Sequence, residues 1–411
     1  MRARKVCITG LGIVSPIGNS VSAFSASLRA GRSGIRVLSG QPATRGLRVG
    51  GVVDIDLSAH VPVAKATTMD RVAQLAVIAA NEAITASRVG HTPPDLSRAG
   101  VYLGCSIGGV QALETAYAEH FLRDGKRIKP FSVVQTMANS AAGQIALEYG
   151  CHGPSLTYSN ACSSSAVSIG EAYRAIKHGY VDCVITGGCE AMLVPGIIDG
   201  WEALRTLALP DVSAPETSCR PFAKDRTGLV LAEGAAILVL EDWDRARARG
   251  ADIIAVISGY GAHTDASHIT KPDATGQSMT IRAALADAGL ACEQIGYVNA
   301  HGTATLAGDV VETSAIKEVF GAYAKSLPVS STKSMHGHVM GATGAVELVA
   351  TICALREQFL PPTMNLLQPD PECDLDYVPN RAREGVSLTH VMSNSFAFGG
   401  SNACLIVSEA P

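Results

Sequence analysis

Leu156-Thr157-Tyr158-Ser159-Asn160-Ala161-Cys162-Ser163-Ser164-Ser165-Ala166 sets a short strand directly against the start of a helix. Leu156 to Ser159 carries the strand pattern. Ala166, Ile169, Tyr173 and Ile176 then recur at helical spacing and define one face. Cys183-Val184-Ile185-Thr186-Gly187-Gly188 is the next strand. The three elements form a βαβ unit, the building block of α/β folds with a parallel sheet covered on both faces. Cys162 falls at the strand-to-helix turn. There the positive end of a helix favours thiolate, the nucleophilic form of cysteine. The small residues around it leave room for a carbonyl to approach.

The C-terminal part repeats this theme. Tyr297 to Ala300 and Val329 to Ser331 read as strands, and Ala345, Leu348, Val349, Ile352 and Leu355 form one helical face. Asp309 and Glu312 form a D-x-x-E helix start, a variant of the capping box. Two similar α/β halves are expected, residues 1–250 and 251–411, meeting between Arg245 and Asp252.

Composition narrows the class. Of 411 residues, 47% are hydrophobic and 17% charged, which suits a large folded core. A net charge of −4 gives no general attraction to nucleic acid. The 11 cysteines are dispersed without any C-x-x-C pair, which argues for free thiols in a reducing compartment and against a zinc site. No uninterrupted apolar run reaches membrane-spanning length, and the N-terminus lacks a cleavage-site pattern. A soluble cytoplasmic protein with no membrane or nucleic-acid partner is expected.

Several segments carry polar groups suited to chemistry. Gly10-Leu11-Gly12-Ile13-Val14-Ser15 follows a strand, but Ser15 replaces the third glycine of a dinucleotide loop and Pro16 follows it. His301, in Asn299-Ala300-His301-Gly302-Thr303-Ala304-Thr305, lies at the C-terminal end of a strand, where α/β proteins gather ligands. By itself it reads equally as a structural histidine. Ser331-Thr332-Lys333-Ser334-Met335-His336-Gly337-His338 brings a lysine and two histidines into one loop. His336 and His338 are two apart, so only one is expected to face a site. The third ligand and carboxylate pattern of a metal centre are missing. Lys333 and Glu347 read either as an orienting buried ion pair or as a solvated one. The turn Asn394-Ser395-Phe396-Ala397-Phe398-Gly399-Gly400-Ser401-Asn402 is either a plain β-turn or a source of a backbone N–H for an oxyanion.

Taken in order, Cys162, N-A-H-G-T-x-T, S-T-K-S-x-x-G-H and F-x-F-G-G-S-N resemble the β-ketoacyl-acyl-carrier-protein synthases, in their elongating Cys-His-His branch. The likeness runs from Val6 to the last strand. It implies a thiolase-like fold, with duplicated α/β halves layered α-β-α-β-α. It also implies an acyltransferase that performs a decarboxylative Claisen condensation in type II fatty-acid, polyketide or polyene biosynthesis. Cys162 would hold the acyl group, and His301 and His338 would serve the malonyl thioester. Lys333, paired with Glu347, would support them. The N–H groups of Cys162 and Phe398 would form the oxyanion hole. Thr303 and Thr305 would bind phosphopantetheine, and Ile107, Ala397 and Phe398 would border the acyl pocket and its gate. No metal or other cofactor is implied.

The implied partners are an acyl carrier protein and either a second copy or a chain-length factor. Arg45, Lys65, Lys126, Arg127, Lys129 and Arg205 are candidate basic contacts for the carrier. Ala397, Leu306 and His336 depart from common family residues, glycine, proline and threonine, and point to a specialised branch. A non-catalytic chain-length factor would lack the nucleophile. A thiolase would use a second cysteine in place of this histidine pair.

Overall fold

The computed structural model describes residues 3–38, 48–88, 94–122, 128–211 and 213–411. Its first five long-sheet strands are β1 (Val6–Val14), β2 (Gly100–Gly104), β3 (Ser155–Tyr158), β4 (Cys183–Glu190) and β5 (Gly234–Asp242). They lie side by side in the order β1-β5-β4-β2-β3. The next five are β6 (Ala255–Thr264), β7 (Tyr297–Asn299), β8 (Val329–Ser330), β9 (His390–Phe396) and β10 (Ser401–Ser408). Their order is β6-β10-β9-β7-β8, the same permutation. Strand directions also repeat. The first two pairings of each set are antiparallel and the last two parallel. One fold unit has therefore been laid down twice. The sets join where Val6 pairs with Ile257 and Ile8 with Ala255.

Five helices complete the layers. They are α1 (Arg71–Ser87), α2 (Ser164–Lys177), α3 (Ala274–Ala288), α4 (Leu306–Phe320) and α5 (Thr343–Glu357). α1 covers the outer face of the first sheet, and α3 covers that of the second. α2 and α5 pack on each other between the sheets, giving the expected α-β-α-β-α stack. Because α5 is central, every residue from Thr343 to Leu355 is buried. The single apolar face seen in the sequence is only part of its contact surface. β1, β4 and β5 are likewise buried at every residue, so they read as continuous runs without alternation.

The glycines of β1 have a packing cause. A Cβ on Gly10 or Gly12 would lie 2.0 Å from Ala83 O or Ala79 O of α1. Gly259 and Gly261 of β6 repeat the spacing, with added Cβ atoms 2.4 Å from Ala284 O and 2.2 Å from Thr280 O of α3. This close approach, and not a phosphate, accounts for the Gly10–Gly12 pattern.

The D-x-x-E reading is corrected. Thr305 is the N-cap of α4, so Asp309 and Glu312 lie inside the helix and are fully buried. Asp309 accepts from Phe222 N and Ala304 N, and Glu312 from His301 N and Gly302 N. Both carboxylates satisfy loop N–H groups, not the helix start.

The duplication reaches the turns before α2 and α5. Ala161–Ser163 and Met340–Ala342 are both single 3-10 turns. Each opens on a non-glycine residue in the left-handed region, Ala161 at φ 48° and Met340 at φ 46°. Such strain is roughly 1–3 kcal/mol per residue. Cys162 is the middle residue of the first turn, and Gly341 stands at its counterpart. A Cβ on Gly341 would lie 2.5 Å from Ser106 N and 2.6 Å from Glu190 Oε2. Gly341→Ala should therefore destabilise the fold by roughly 1–3 kcal/mol through overpacking. Gly143→Ala, inside helix Ser140–Tyr149 with nothing within 4 Å of its Cβ, should hold or raise stability. Thermal unfolding of both variants checks the contrast.

Candidate active site

Ends of four elements meet where the two halves face each other. The β3–α2 turn supplies Cys162, and the end of β7 supplies His301. The segment after β8 supplies Lys333 and His338, and the β9–β10 turn supplies Phe398. A cavity of about 300 Å³ opens onto them, lined by Cys162, His301, Thr303, Thr305, His338 and Phe398 among others. Such convergence at the C-terminal ends of parallel strands is where α/β folds place ligands.

His338 Nε2 lies 3.0 Å from Cys162 Sγ. Its Nδ1 lies 2.8 Å from Thr343 Oγ1 at the first residue of α5. The His301 ring meets the His338 ring edge-on, with centroids 5.5 Å apart. Lys333 Nζ lies 2.5 Å from Glu347 Oε1 and 3.4 Å from His301 Nδ1. Both members of that ion pair are fully buried, so the solvated alternative falls. The backbone N–H groups of Phe398 and of Cys162 itself favour the ionised sulfur. Thr303 Oγ1 and Thr305 Oγ1 are 3.0 Å apart on the cavity wall.

Burial governs the protonation of this cluster. It pushes the Cys162 thiol up to about 11, with the Lys333 ammonium and the two N–H groups pulling the other way. Cys162 does sit at the start of a helix, but desolvation outweighs the expected gain in thiolate. Burial also holds His301 and His338 well below the ordinary imidazole range, helped in both cases by Lys333. Both rings are neutral at physiological pH. Burial raises the Glu347 carboxyl, and the neighbouring Lys333 ammonium opposes that rise. Sγ and one nitrogen of each histidine lie within 4.8 Å of one another. A divalent ion there would meet the Lys333 ammonium at His301, so the donor set suits proton and hydrogen-bond chemistry better than a metal.

His336 turns away from the site, as its spacing from His338 implies. Its Nδ1 donates to Gly337 O, and Thr332 Oγ1 meets Nε2 at 3.0 Å. Burial lowers it to about 3. Ala397 has φ −122°, extended backbone that any residue adopts, so its methyl group does not strain this turn. The left-handed residues are Gly399 and Gly400.

Ile107 is 40% exposed and does not line this cavity. Cys162 shares one apolar cluster with Val110, Met192, Val194, Ile198, Leu229, Leu231 and Met340. Trp201, which sequence reasoning missed, stacks on Phe398 with centroids 5.8 Å apart. Thr343 was missed as well, since neither its type nor its spacing sets it apart from ordinary helix residues, and Glu312 was read only as a helix-start acid.

Of the basic candidates, Arg205 lines the cavity, Lys129 is exposed and Lys65 pairs with Glu148. Arg45, Lys126 and Arg127 lie outside the described residues. Among the described residues, no helix is long and apolar enough to cross a membrane.

Residues 3–246 match the family described as "Beta-ketoacyl synthase, N-terminal domain", and residues 254–367 match its C-terminal domain. The chain is 40% identical to "3-oxoacyl-[acyl-carrier-protein] synthase 2" of Staphylococcus aureus, covering 99% of this chain and 98% of that one. Among solved structures it superposes on the ishigamide ketosynthase/chain length factor with TM-score 0.91 at 35% identity, covering 100% of both chains. It superposes equally, at TM-score 0.91 and 30% identity with 100% of both chains covered, on a type II PKS ketosynthase solved with its acyl-carrier protein. With its two domains matched in order and its Cys-His-His cluster assembled between them, the chain belongs to the β-ketoacyl synthase family.

Proposed function

We propose that this chain is a β-ketoacyl-acyl-carrier-protein synthase that condenses malonyl-carrier protein with an acyl group held on Cys162. The observation that carries this reading is the 3.0 Å contact between the buried Cys162 thiol and the His338 imidazole.

In the first half-reaction the Cys162 S–H proton passes to His338 Nε2, and Sγ attacks the acyl thioester carbon. The oxyanion lies between the N–H groups of Cys162 and Phe398, one such donor being worth about 3 kcal/mol. Collapse breaks the carbon–sulfur bond to the carrier arm, and the imidazolium returns the proton to the departing thiolate. In the second, malonyl-carrier protein loses carbon dioxide, and the electron pair moves onto the thioester as an enolate. Its oxygen receives hydrogen bonds from His301 and His338. The carbanion attacks the Cys162 thioester carbon, the bond from that carbon to Sγ breaks, and the released thiolate takes a proton from water. Lys333, held by Glu347, keeps His301 neutral and in place. No metal or redox cofactor takes part.

Thr303 and Thr305 are placed to bind the phosphopantetheine arm. Arg205 and Lys129 are basic contacts for an acidic carrier protein, and the relative solved with its carrier supports that partner. A second ketosynthase-like subunit, either a copy or a chain-length factor, completes the assembly in the cytoplasm. The ishigamide and type II PKS relatives, with Ala397, Leu306 and His336, favour a polyketide or polyene pathway. A non-catalytic chain-length factor is disfavoured because the nucleophile and both histidines are present and assembled.

Incubation with an acyl-carrier protein should place an acyl mass adduct on Cys162 and none on Cys162→Ala. An adduct of equal yield on the variant would overturn the assignment. His301→Ala and His338→Ala should each slow carbon dioxide release from malonyl-carrier protein by about 10²-fold or more. Because both imidazoles are held below their ordinary range, they stay neutral as pH falls. Wild-type carbon dioxide release should therefore change little between pH 8 and pH 6, where a free imidazole gains its proton. A steep loss centred on the ordinary imidazole value would contradict the buried-neutral assignment.

A further inference from the structure

The two half-reactions make opposite demands on one nitrogen, and this inference rests on the condensing function proposed above. To take the thiol proton, His338 Nε2 must present a lone pair. To serve the enolate oxygen, the same Nε2 must carry a hydrogen. In a neutral imidazole the choice at Nε2 is set by what Nδ1 does. A backbone carbonyl at Nδ1 would only accept, fixing the hydrogen on Nδ1 and leaving Nε2 bare. A backbone N–H would only donate, fixing the reverse. Here the partner is a hydroxyl, Thr343 Oγ1 at 2.8 Å, and a hydroxyl can do either.

We propose that Thr343 is a positioning residue that lets His338 adopt both neutral tautomers, one for each half-reaction. During acyl transfer Nδ1–H donates to Thr343 Oγ1. Nε2 takes the thiol proton and passes it to the departing arm, so the ring ends as it began. Between the half-reactions the ring exchanges tautomer with solvent, losing the proton on Nδ1 and gaining one on Nε2. The Thr343 hydroxyl rotates to donate to Nδ1, and the ring stays neutral. The fold supports this assignment. Thr343 is fully buried at the first residue of α5, so its side chain is held against the ring. His301 has no such hydroxyl, because its Nδ1 faces the Lys333 ammonium, which only donates. That arrangement suits a ring whose Nε2 is always a donor, and it leaves the exchange of roles to His338.

Nitrogen NMR of the histidine-labelled full chain reads the tautomer directly. Wild type should show both His338 nitrogens at averaged positions, and a spectrum of one pure tautomer would overturn the proposal. Thr343→Val should slow both acyl transfer to Cys162 and carbon dioxide release by about fivefold to tenfold, the loss expected for one neutral hydrogen bond, at unchanged KM for malonyl-carrier protein. Thr343→Ser should restore both rates to within about twofold, since only the hydroxyl is needed. A Thr343→Val enzyme as fast as wild type, or a Thr343→Ser enzyme as slow as Thr343→Val, would count against the hydroxyl. Thr343→Ala gives the same reading if the valine crowds the turn. If wild-type protein neither acylates Cys162 nor releases carbon dioxide, the condensing function itself falls, a result separate from any failure at Thr343.

Discussion

Helices α2 and α5 touch at their first turns, and the site depends on that contact. The Ala345 N–H donates to Ser165 Oγ at 2.9 Å. Gly344 sits so close to Ala166 that a Cβ would lie 2.8 Å from its backbone nitrogen. No larger side chain fits between them, so the two helix starts are locked in register. The nucleophile lies two residues before α2, and the residue opening α5 holds His338. Separating the helices by one methyl group would lengthen the 3.0 Å sulfur–nitrogen distance on which proton transfer relies. The two outer layers and two sheets serve to bury this pair of helices on all sides.

Burial at this depth sets the electrostatics. A single ammonium, Lys333, lies within a cluster of groups that desolvation would otherwise leave uncharged, and Glu347 compensates it. Breaking such a pair leaves an isolated buried charge, which is far more damaging than the pair is stabilising. Its value to the site lies in its effect on neighbours. It lowers the proton affinity of both histidines and opposes the burial-driven rise of the thiol. The cluster thus holds neutral donors and acceptors beside a cavity, which suits an enolate that appears and disappears within one turnover.

Much of this was legible in the chain because strand-to-helix turns impose local rules. Cys162 and His301 lie just beyond strand ends, His338 lies in the segment that follows another, and apolar runs with helical spacing between them disclose the α/β halves. What stayed hidden depends on tertiary burial. α5 reads as amphipathic because Glu347 and Thr351 interrupt it, yet both are buried, Glu347 against Lys333 and Thr351 on its own helix. Asp309 and Glu312 read as helix-start acids, but their partners are loop N–H groups brought in by folding. The helix end at Cys162 was visible, whereas the desolvation that outweighs it was not.

Duplication explains why the two halves do different work. Both present the same strained turn ahead of a central helix, and a nucleophile is stereochemically available in either. In the second turn the outward position is filled, because Ser106 N and Glu190 Oε2 crowd Gly341, whose N–H bonds to that carboxylate at 3.1 Å. A side chain there would break the packing between the β2 and β4 ends. The second half can therefore contribute no nucleophile at this point, and its strand ends carry the histidines instead. Two turns of one design, one open and one blocked, leave a single sulfur facing two imidazoles. A condensation needs this asymmetry, since two adjacent nucleophiles would compete for the acyl group that only one can pass to the incoming carbanion.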